Sequence, residues 1–201
     1  MDTFDSAYRQ YLDKLEQIDL FDRASALNLQ IRSGKIMIPF FGRWHHISKQ
    51  GILGPDGCMP TPAVGTVLLD FLLRNKEIRP AAFDKISFRD IKGAGPLVGN
   101  FANNTNRLIA QTFAGRLVDL EAACRDIHGE RVTDPVSSDL YMRIMALPEV
   151  PLYLSFNDQD EDFPAQCNLF FDRSAEQYLA MKSLFVLGTS LAGSLIKFQD
   201  T

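Results

Sequence analysis

Four carboxylates lie within five residues in the segment NDQDEDFPAQ, residues 157–166. Asp158, Asp160 and Asp162 alternate along the chain, and Glu161 stands between the last two. Ca²⁺ and Mg²⁺ prefer oxygen ligands, and carboxylates are the usual protein source of them. The sequence therefore offers these four residues as candidate ligands of a divalent cation, which is the only cofactor that it suggests.

The spacing of this acidic segment does not make an EF-hand loop. The sixth position of such a loop must be glycine and is Phe163, and the twelfth must be glutamate and is Leu169. A looser cation site stays open. Carboxylates this close repel one another, so an arginine such as Arg143 or Arg173 could instead supply the countercharge. The third interpretation is a solvated connection between two strands, in which acidic residues discourage edge pairing.

Two adjacent histidines, His45 and His46, follow Trp44 in a stretch with the alternation of a strand. Successive residues of a strand point to opposite faces, so the two rings cannot easily hold one metal ion together. One of them could transfer a proton or contact a cofactor. A polar ring at a sheet surface is the alternative interpretation.

The segment GAGPLVG, residues 93–99, follows a short predicted strand. The spacing of Gly93, Gly95 and Gly99 is not that of a G-x-G-x-x-G motif, and Pro96 lacks an amide donor. Dinucleotide binding is therefore not predicted here. We expect a glycine-rich loop next to Arg89.

The bulk composition excludes several classes of protein. The chain has 201 residues, of which 46% are hydrophobic, and this is enough for a full core. A net charge of −4 and scattered basic residues argue against nucleic-acid binding. We expect no membrane span. Cys58, Cys124 and Cys167 form no C-x-x-C pair, and the start MDTFDSAYRQ does not look like a secretory leader, so we expect a cytoplasmic protein.

The order of the predicted elements indicates an α+β fold in one domain over residues 1–201, with an antiparallel sheet of meander and hairpins packed against several helices. An N-terminal helical segment covers residues 1–27, and a meander follows it. The last third contains three predicted strands, DLYMRIMAL, VPLYLSF and QCNLFFD, and the acidic segment lies between the second and the third.

Three local patterns predict how helices begin, end and pack. Gly129 fits a helix C-cap. Ser174 and Gln177 have the spacing of a capping box that opens a helix. The small residues Gly188, Ala192 and Gly193 allow close packing of the last helix, either inside the protein or in a homodimer.

The segment DEDFPAQCNLFFDRSAEQYL, residues 160–179, resembles the closing part of an uncharacterised prokaryotic family, the domain-of-unknown-function family 3786. FFGRWHHIS resembles the family's aromatic-glycine hairpin, and ISFRDIKGAG resembles its Phe-Arg and glycine-rich segment. The resemblance makes residues 28–201 the family-like core and implies no catalytic residues. Some relatives carry an iron–sulfur-type cysteine module and occur in anaerobes with corrinoid chemistry, but this chain has no such cysteine set.

A folded core without a complete catalytic set predicts a non-catalytic cytoplasmic binding module for a small ligand, a cofactor or a protein partner. We expect its pocket to be lined by Trp44, His45 or His46, Arg89 and the loop 93–99, with the acidic segment at the rim. One alternative is a divalent-cation-dependent enzyme with the acidic segment as metal ligands and one histidine as base. The other is a structural subunit that forms a homodimer through its last helix.

Overall fold

The structure is a computed structural model that describes residues 3–74, 84–133 and 137–198. Helices and antiparallel strands occur in separate blocks and form the predicted α+β fold. The helices are α1 (Thr3–Gln17), α2 (Leu20–Ala26), α3 (Pro62–Leu73), α4 (Val98–Asn104), α5 (Asn106–Phe113), α6 (Leu117–Asp126), α7 (Ala175–Tyr178) and α8 (Met181–Lys197). The strands are β1 (Gln30–Arg32), β2 (Lys35–Phe40), β3 (Arg43–Ser48), β4 (Gly51–Leu53), β5 (Lys85–Ser87), β6 (Glu130–Arg131), β7 (Leu140–Leu147), β8 (Val150–Asn157) and β9 (Gln166–Asp172).

Sheet A is the predicted antiparallel meander, with strand order β1-β2-β3-β4. Its side chains alternate between a buried face, which holds Ile36, Ile38 and Ile47, and an opposite face, which holds Pro39 and Trp44. The β2–β3 register pairs Ile36 with Ile47 and Pro39 with Trp44, so each cross-strand pair lies on one face. This alternation fixes the register, because a slip of one residue would expose the isoleucines.

Sheet B is antiparallel with strand order β5-β9-β8-β7-β6. Its three long strands are those predicted in the last third of the chain, and two short strands from earlier in the sequence form its edges. Leu169 and Phe171 are buried on the face that α4 and α8 cover. A β-carbon placed on Gly188 of α8 would lie 3.3 Å from the Leu169 side chain. The opposite face of sheet B has no described helix against it in this way and carries the alternate residues of each strand.

Helix α3 runs through the centre of the helical layer. Thr61 caps its start by accepting the Val64 amide, and Pro62 fits the first helical position, where no amide donor is needed. All eight residues from 65 to 72 are buried, which is typical of a helix with neighbours on all sides. Tyr8 of α1 packs directly on Gly65, since a β-carbon there would lie 2.5 Å from its ring. None of the described helices is both long and apolar enough to cross a bilayer.

Asp70 is a buried carboxylate that joins three helices. One oxygen accepts hydrogen bonds from the Ala180 amide and the Ser183 hydroxyl, both over 2.7 Å, and so ties the start of α8 to α3. The other accepts the Tyr11 hydroxyl of α1 over 3.0 Å and lies 3.4 Å from the Arg74 guanidinium. Burial and the nearby Asp70 charge raise the pKa of Tyr11 to about 12. The position of α8 against α3 therefore depends on one charged side chain.

The tip of the β2–β3 hairpin joins the two sheets. Phe41 and Gly42 form its turn with φ angles of +48° and +74°, as in the turns that suit the twist of two-residue hairpins. The Phe41 amide donates to the Ala146 carbonyl of β7 over 3.0 Å, and its ring packs against Phe40. His128 lies against Gly42, so a β-carbon there would overlap the imidazole. A bulky residue rarely adopts positive φ, and these contacts hold Phe41 in it.

Two of the predicted caps do not form, although Ser174 does stand at the start of α7. His128, rather than Gly129, has the left-handed backbone after α6, with φ of +61°. Position 129 requires glycine because the chain passes close to the Cys124 carbonyl oxygen, which would lie 2.7 Å from a β-carbon there. Ser174 makes no side-chain cap, because α7 is a single turn whose Gln177 amide donates to the Ser174 carbonyl.

The small residues of α8 serve the interior. Gly188 and Ala192 are buried, and a β-carbon on Gly188 would lie 2.6 Å from a ring atom of Phe101. Gly188 and Ala192 therefore serve internal packing, whereas a β-carbon on Gly193 would meet no neighbouring element within 4 Å, and the homodimer alternative stays a prediction.

Candidate functional site

Three cavities adjoin one another at Asn168 on β9, and we call them together the β9 groove. The first, of 310 Å³, lies beside Arg89, and the second, of 270 Å³, lies beside Lys85. The third, of 190 Å³, lies beside Arg107. Asn168 lines all three, and Phe170 lines the first two. The groove therefore continues from the edge of sheet B onto the face that α4 and α8 leave uncovered.

The groove exists because β5 is short. Ser87, the last residue of β5, pairs with Phe170, so β9 has no β5 partner from Leu169 back to Gln166. After Ser87 the chain turns into a single 3-10 turn. The Asp90 carboxylate holds this turn by accepting the Ser87 amide over 2.9 Å and its hydroxyl over 2.6 Å. These hydrogen bonds from Ser87 lower the pKa of Asp90.

The cavity beside Arg89 has an aromatic wall and a charged rim. Phe88 and Phe101 stack with ring centroids 4.1 Å apart and form its inner side. Arg89 is exposed and forms no ion pair or hydrogen bond with any residue that the structure describes. Asn106 and Asn168 line the same cavity. A free guanidinium beside two amides can bind a small anion.

The cavity beside Lys85 has an aromatic floor formed by Tyr141 and Phe170, and Tyr153 packs beside Tyr141. The rings of Tyr141 and Tyr153 are nearly parallel, at 18°, with centroids 6.2 Å apart. The Lys85 ammonium lies 4.6 Å from each centroid and forms no ion pair within the described parts of the chain. Burial is the main cause that raises the pKa of Tyr153, and the charge of Lys85 opposes it. Attraction between the ammonium and the ring faces holds the lysine over the tyrosines.

The rim of this cavity consists of uncharged polar residues. Ser138, Ser155, Asn157 and Asn168 line it. Asn157 accepts the Asp139 amide, whereas the side chains of Ser155 and Asn168 have no hydrogen-bond partner among the described residues. These two side chains are available to a ligand as neutral donors and acceptors.

The structure does not bring the predicted pocket residues together. Arg89 lines the first cavity, and the loop 93–99 contributes Val98. Gly93 and Gly95 are exposed, and a β-carbon on either would meet no atom within 4 Å. The chain from residue 95 onward is not an open loop, because it forms a 3-10 turn and the first residues of α4.

Trp44, His45 and His46 lie in sheet A and line none of the three cavities. The two imidazoles occupy opposite faces, as predicted for neighbours in a strand. His45 is buried, with Nδ1 3.0 Å from the Arg43 carbonyl, and burial lowers its pKa, so the ring is neutral near pH 7. His46 is half-buried beside Leu53 on the face of Trp44.

Two carboxylates of the acidic segment, those of Asp158 and Asp160, accept backbone amides. Asp158 accepts the Gly115 amide over 2.6 Å, and Asp160 accepts the amides of Asp162 and Phe163. Glu161 and Asp162 are exposed. Across the described ranges, no three histidine, cysteine or acidic side chains gather as metal ligands. The acidic segment begins after Asn157, the last residue of β8. Sheet A contacts β7 beside the other end of β8, so the acidic segment and the histidines of sheet A lie at opposite ends of that strand.

The expected arginine countercharges are also engaged elsewhere. Arg143 pairs with Glu130 across the β6–β7 register, and Arg173 pairs with Asp84. Neither reaches the acidic segment, whose carboxylates instead accept backbone amides. Those hydrogen bonds replace the countercharge that the sequence suggested.

The sequence interpretation missed Lys85, Tyr141, Tyr153 and Asn168. The signal was the period of two in the three long strands, which places Tyr141, Tyr153 and Phe170 on the same face, opposite the buried leucines. Reading both faces of each strand, and not the buried face alone, would have assembled this aromatic row.

Cys58 is exposed in the loop after β4, whereas Cys124 and Cys167 are buried. Burial raises the pKa of Cys124 to about 12 and also raises that of Cys167. We expect Ellman's reagent to modify one thiol rapidly in the native protein and the other two only after unfolding, because the thiolate is the reactive form. A Cys58→Ser variant should lose the rapid phase, and rapid modification of two or three thiols in the native protein would contradict this burial.

Comparison with known proteins gives one match. The sequence model of a family described as a domain of unknown function, DUF3786, matches residues 19–194. The search of curated proteins and the search of solved structures each returned no match. The matched range includes both sheets and the whole β9 groove.

Proposed function

This chain belongs to the DUF3786 family of domains of unknown function, and from that premise we propose that it is a non-catalytic binding module that holds a small anionic ligand in the β9 groove. The observation that carries the proposal is the charge of the groove. Among the residues that the structure describes, each of the three cavities is lined by one basic residue, Lys85, Arg89 or Arg107, and by no acidic residue.

The positive charge of the groove is opposite in sign to the net charge of the chain. The net charge is −4, yet the three basic residues of the groove have no ion-pair partner among the described residues. Arg107 only donates a hydrogen bond to the Asn103 side chain. Unpaired basic groups in a cleft raise the local concentration of anions and strengthen their binding.

The lining of the groove supports binding rather than catalysis. The described lining residues include no histidine and no carboxylate, so they offer no general base of the usual kind. The single cysteine of the lining, Cys167, is buried and has a raised pKa, which keeps its thiol protonated. What remains is a set of cations, amides, hydroxyls and aromatic rings, which can hold and orient a ligand.

The test is a thermal-shift series with phosphate, citrate, benzoate and AMP at constant ionic strength. We expect at least one of these anions to raise Tm, because a ligand that binds only the folded state stabilises it. Arg89→Ala should weaken the binding of that anion about tenfold, the effect of losing one charge-assisted hydrogen bond. Lys182→Ala removes an exposed lysine at the start of α8, outside the groove, and should leave the shift unchanged. Equal shifts in the wild type and in variants at Arg89, Arg107 and Lys85 would refute the proposal.

A further inference from the structure

We infer that the cavity beside Lys85 takes a small planar aromatic acid, with its ring against Tyr141 and Phe170 and its acid group on the Lys85 ammonium. The inference rests on the proposed function and names the class of ligand for one part of the groove. It is carried by the floor, the charge and the size of this cavity.

The floor is suited to a flat ring. Tyr141 and Phe170 line the cavity, and the Tyr153 ring, which pairs with Phe170 across β8 and β9, lies within 18° of parallel to the Tyr141 ring. Aromatic rings add to such a pair in offset stacking, which a saturated ring cannot do. The tyrosines are only 4% and 9% exposed, while the flexible Lys85 side chain places its ammonium over both rings.

The charge of Lys85 explains how a ligand gains access to these rings. The ammonium has two ring faces as its partners and no carboxylate among the described residues. A carboxylate at the cavity mouth is a stronger partner for an ammonium than an aromatic face, since hydrogen bonds to charged groups are the stronger ones. The acid group of an incoming ligand therefore draws the Lys85 ammonium away from the tyrosine rings. The ring of the ligand can then contact the ring face that the ammonium has left.

The size of the cavity limits the ligand to about one ring system. Its volume of 270 Å³ is near the lower end of small-molecule sites, which start at roughly 300 Å³. One cation suits one acid group. The free side chains of Ser155 and Asn168 at the rim can bind a hydroxyl group or a ring heteroatom of the ligand.

Three probes of similar size separate the contributions of ring and charge. Benzoate has both features, cyclohexanecarboxylate keeps the charge without the aromatic ring, and benzamide keeps the ring without the charge. Ligand-observed NMR titrations of the full chain should give the tightest binding for benzoate. We expect each of the other two probes to bind about tenfold more weakly, the size of one ring stack or one charged hydrogen bond.

Lys85→Gln keeps a long polar side chain and removes the charge. It should weaken benzoate about tenfold and leave benzamide unchanged, while Lys182→Gln should affect neither. Circular dichroism and Tm will show that each variant is folded. Undiminished benzoate binding by folded Lys85→Gln would overturn the inference, and so would equal affinity for benzoate and cyclohexanecarboxylate. In either case another anion that depends on Arg89 would leave the proposed function intact. No anion binding at all would overturn both.

Discussion

Replacing Asp70 by alanine should lower the free energy of unfolding by about 4 kcal/mol, because one buried and two half-buried donors lose a buried acceptor at once. The buried donor is the Ser183 hydroxyl, and the half-buried donors are the Tyr11 hydroxyl and the Ala180 amide. Each polar group left unsatisfied in the interior costs roughly 1 to 3 kcal/mol. Urea unfolding followed by circular dichroism measures the change.

The control for this variant is Asp119→Ala. Asp119 forms an ion pair with Arg116 over 2.8 Å, but its side chain is 50% exposed. Exposed ion pairs contribute little, so the loss should stay within about 1 kcal/mol. If the two variants lost similar stability, Asp70 would not be the organising residue that its hydrogen bonds indicate.

Gly42→Ala should cost about 3 kcal/mol. A φ of +74° costs a residue with a β-carbon roughly 1 kcal/mol or more, and this β-carbon would also overlap the His128 imidazole. The collision is with the ring itself at the junction of the sheets, 2.7 Å from its Nε2, where the hairpin tip is held to β7. Thermal unfolding of the variant gives the loss directly.

A double-mutant cycle separates the two causes. In a His128→Ala background the overlap is absent, so Gly42→Ala should cost only the backbone part, about 1 kcal/mol. The interaction energy between the two sites should therefore be about 2 kcal/mol. Additive effects of the two substitutions would show that the imidazole does not press on the turn.

Most elements of the fold could be predicted from the sequence. The period of two identified the meander and the three long strands, and β9 has the predicted bounds, Gln166–Asp172. The errors concentrate at element ends. The predicted N-terminal helix is two helices, because Asp19 caps a new one by accepting the Phe21 and Asp22 amides. The position at which a helix begins or ends depends on one or two side-chain hydrogen bonds. The spacing of apolar residues in the sequence gives no information about those bonds.

The candidate site was harder to predict than the fold. Of the expected pocket residues, Arg89 lines the groove, while Trp44 and the two histidines belong to the other sheet. Residues whose side chains could act together need not lie in one pocket, because the order of the strands in each sheet decides which residues are neighbours. That order places β5, from residue 85 onward, beside β9. Pairing between segments more than 80 residues apart leaves no local pattern in the sequence.

The same long separation at Asp70 has a consequence for synthesis on the ribosome. Asp70 on α3 is synthesised 110 residues before Ala180, whose amide it accepts in the folded protein. At a translation rate of about 5 to 20 residues per second, that delay is roughly 6 to 22 s. During it, the apolar surface of α3 has no α8 to cover it. For that interval the side of α3 that α8 later covers is exposed, and exposed apolar surface makes an incomplete chain prone to aggregate.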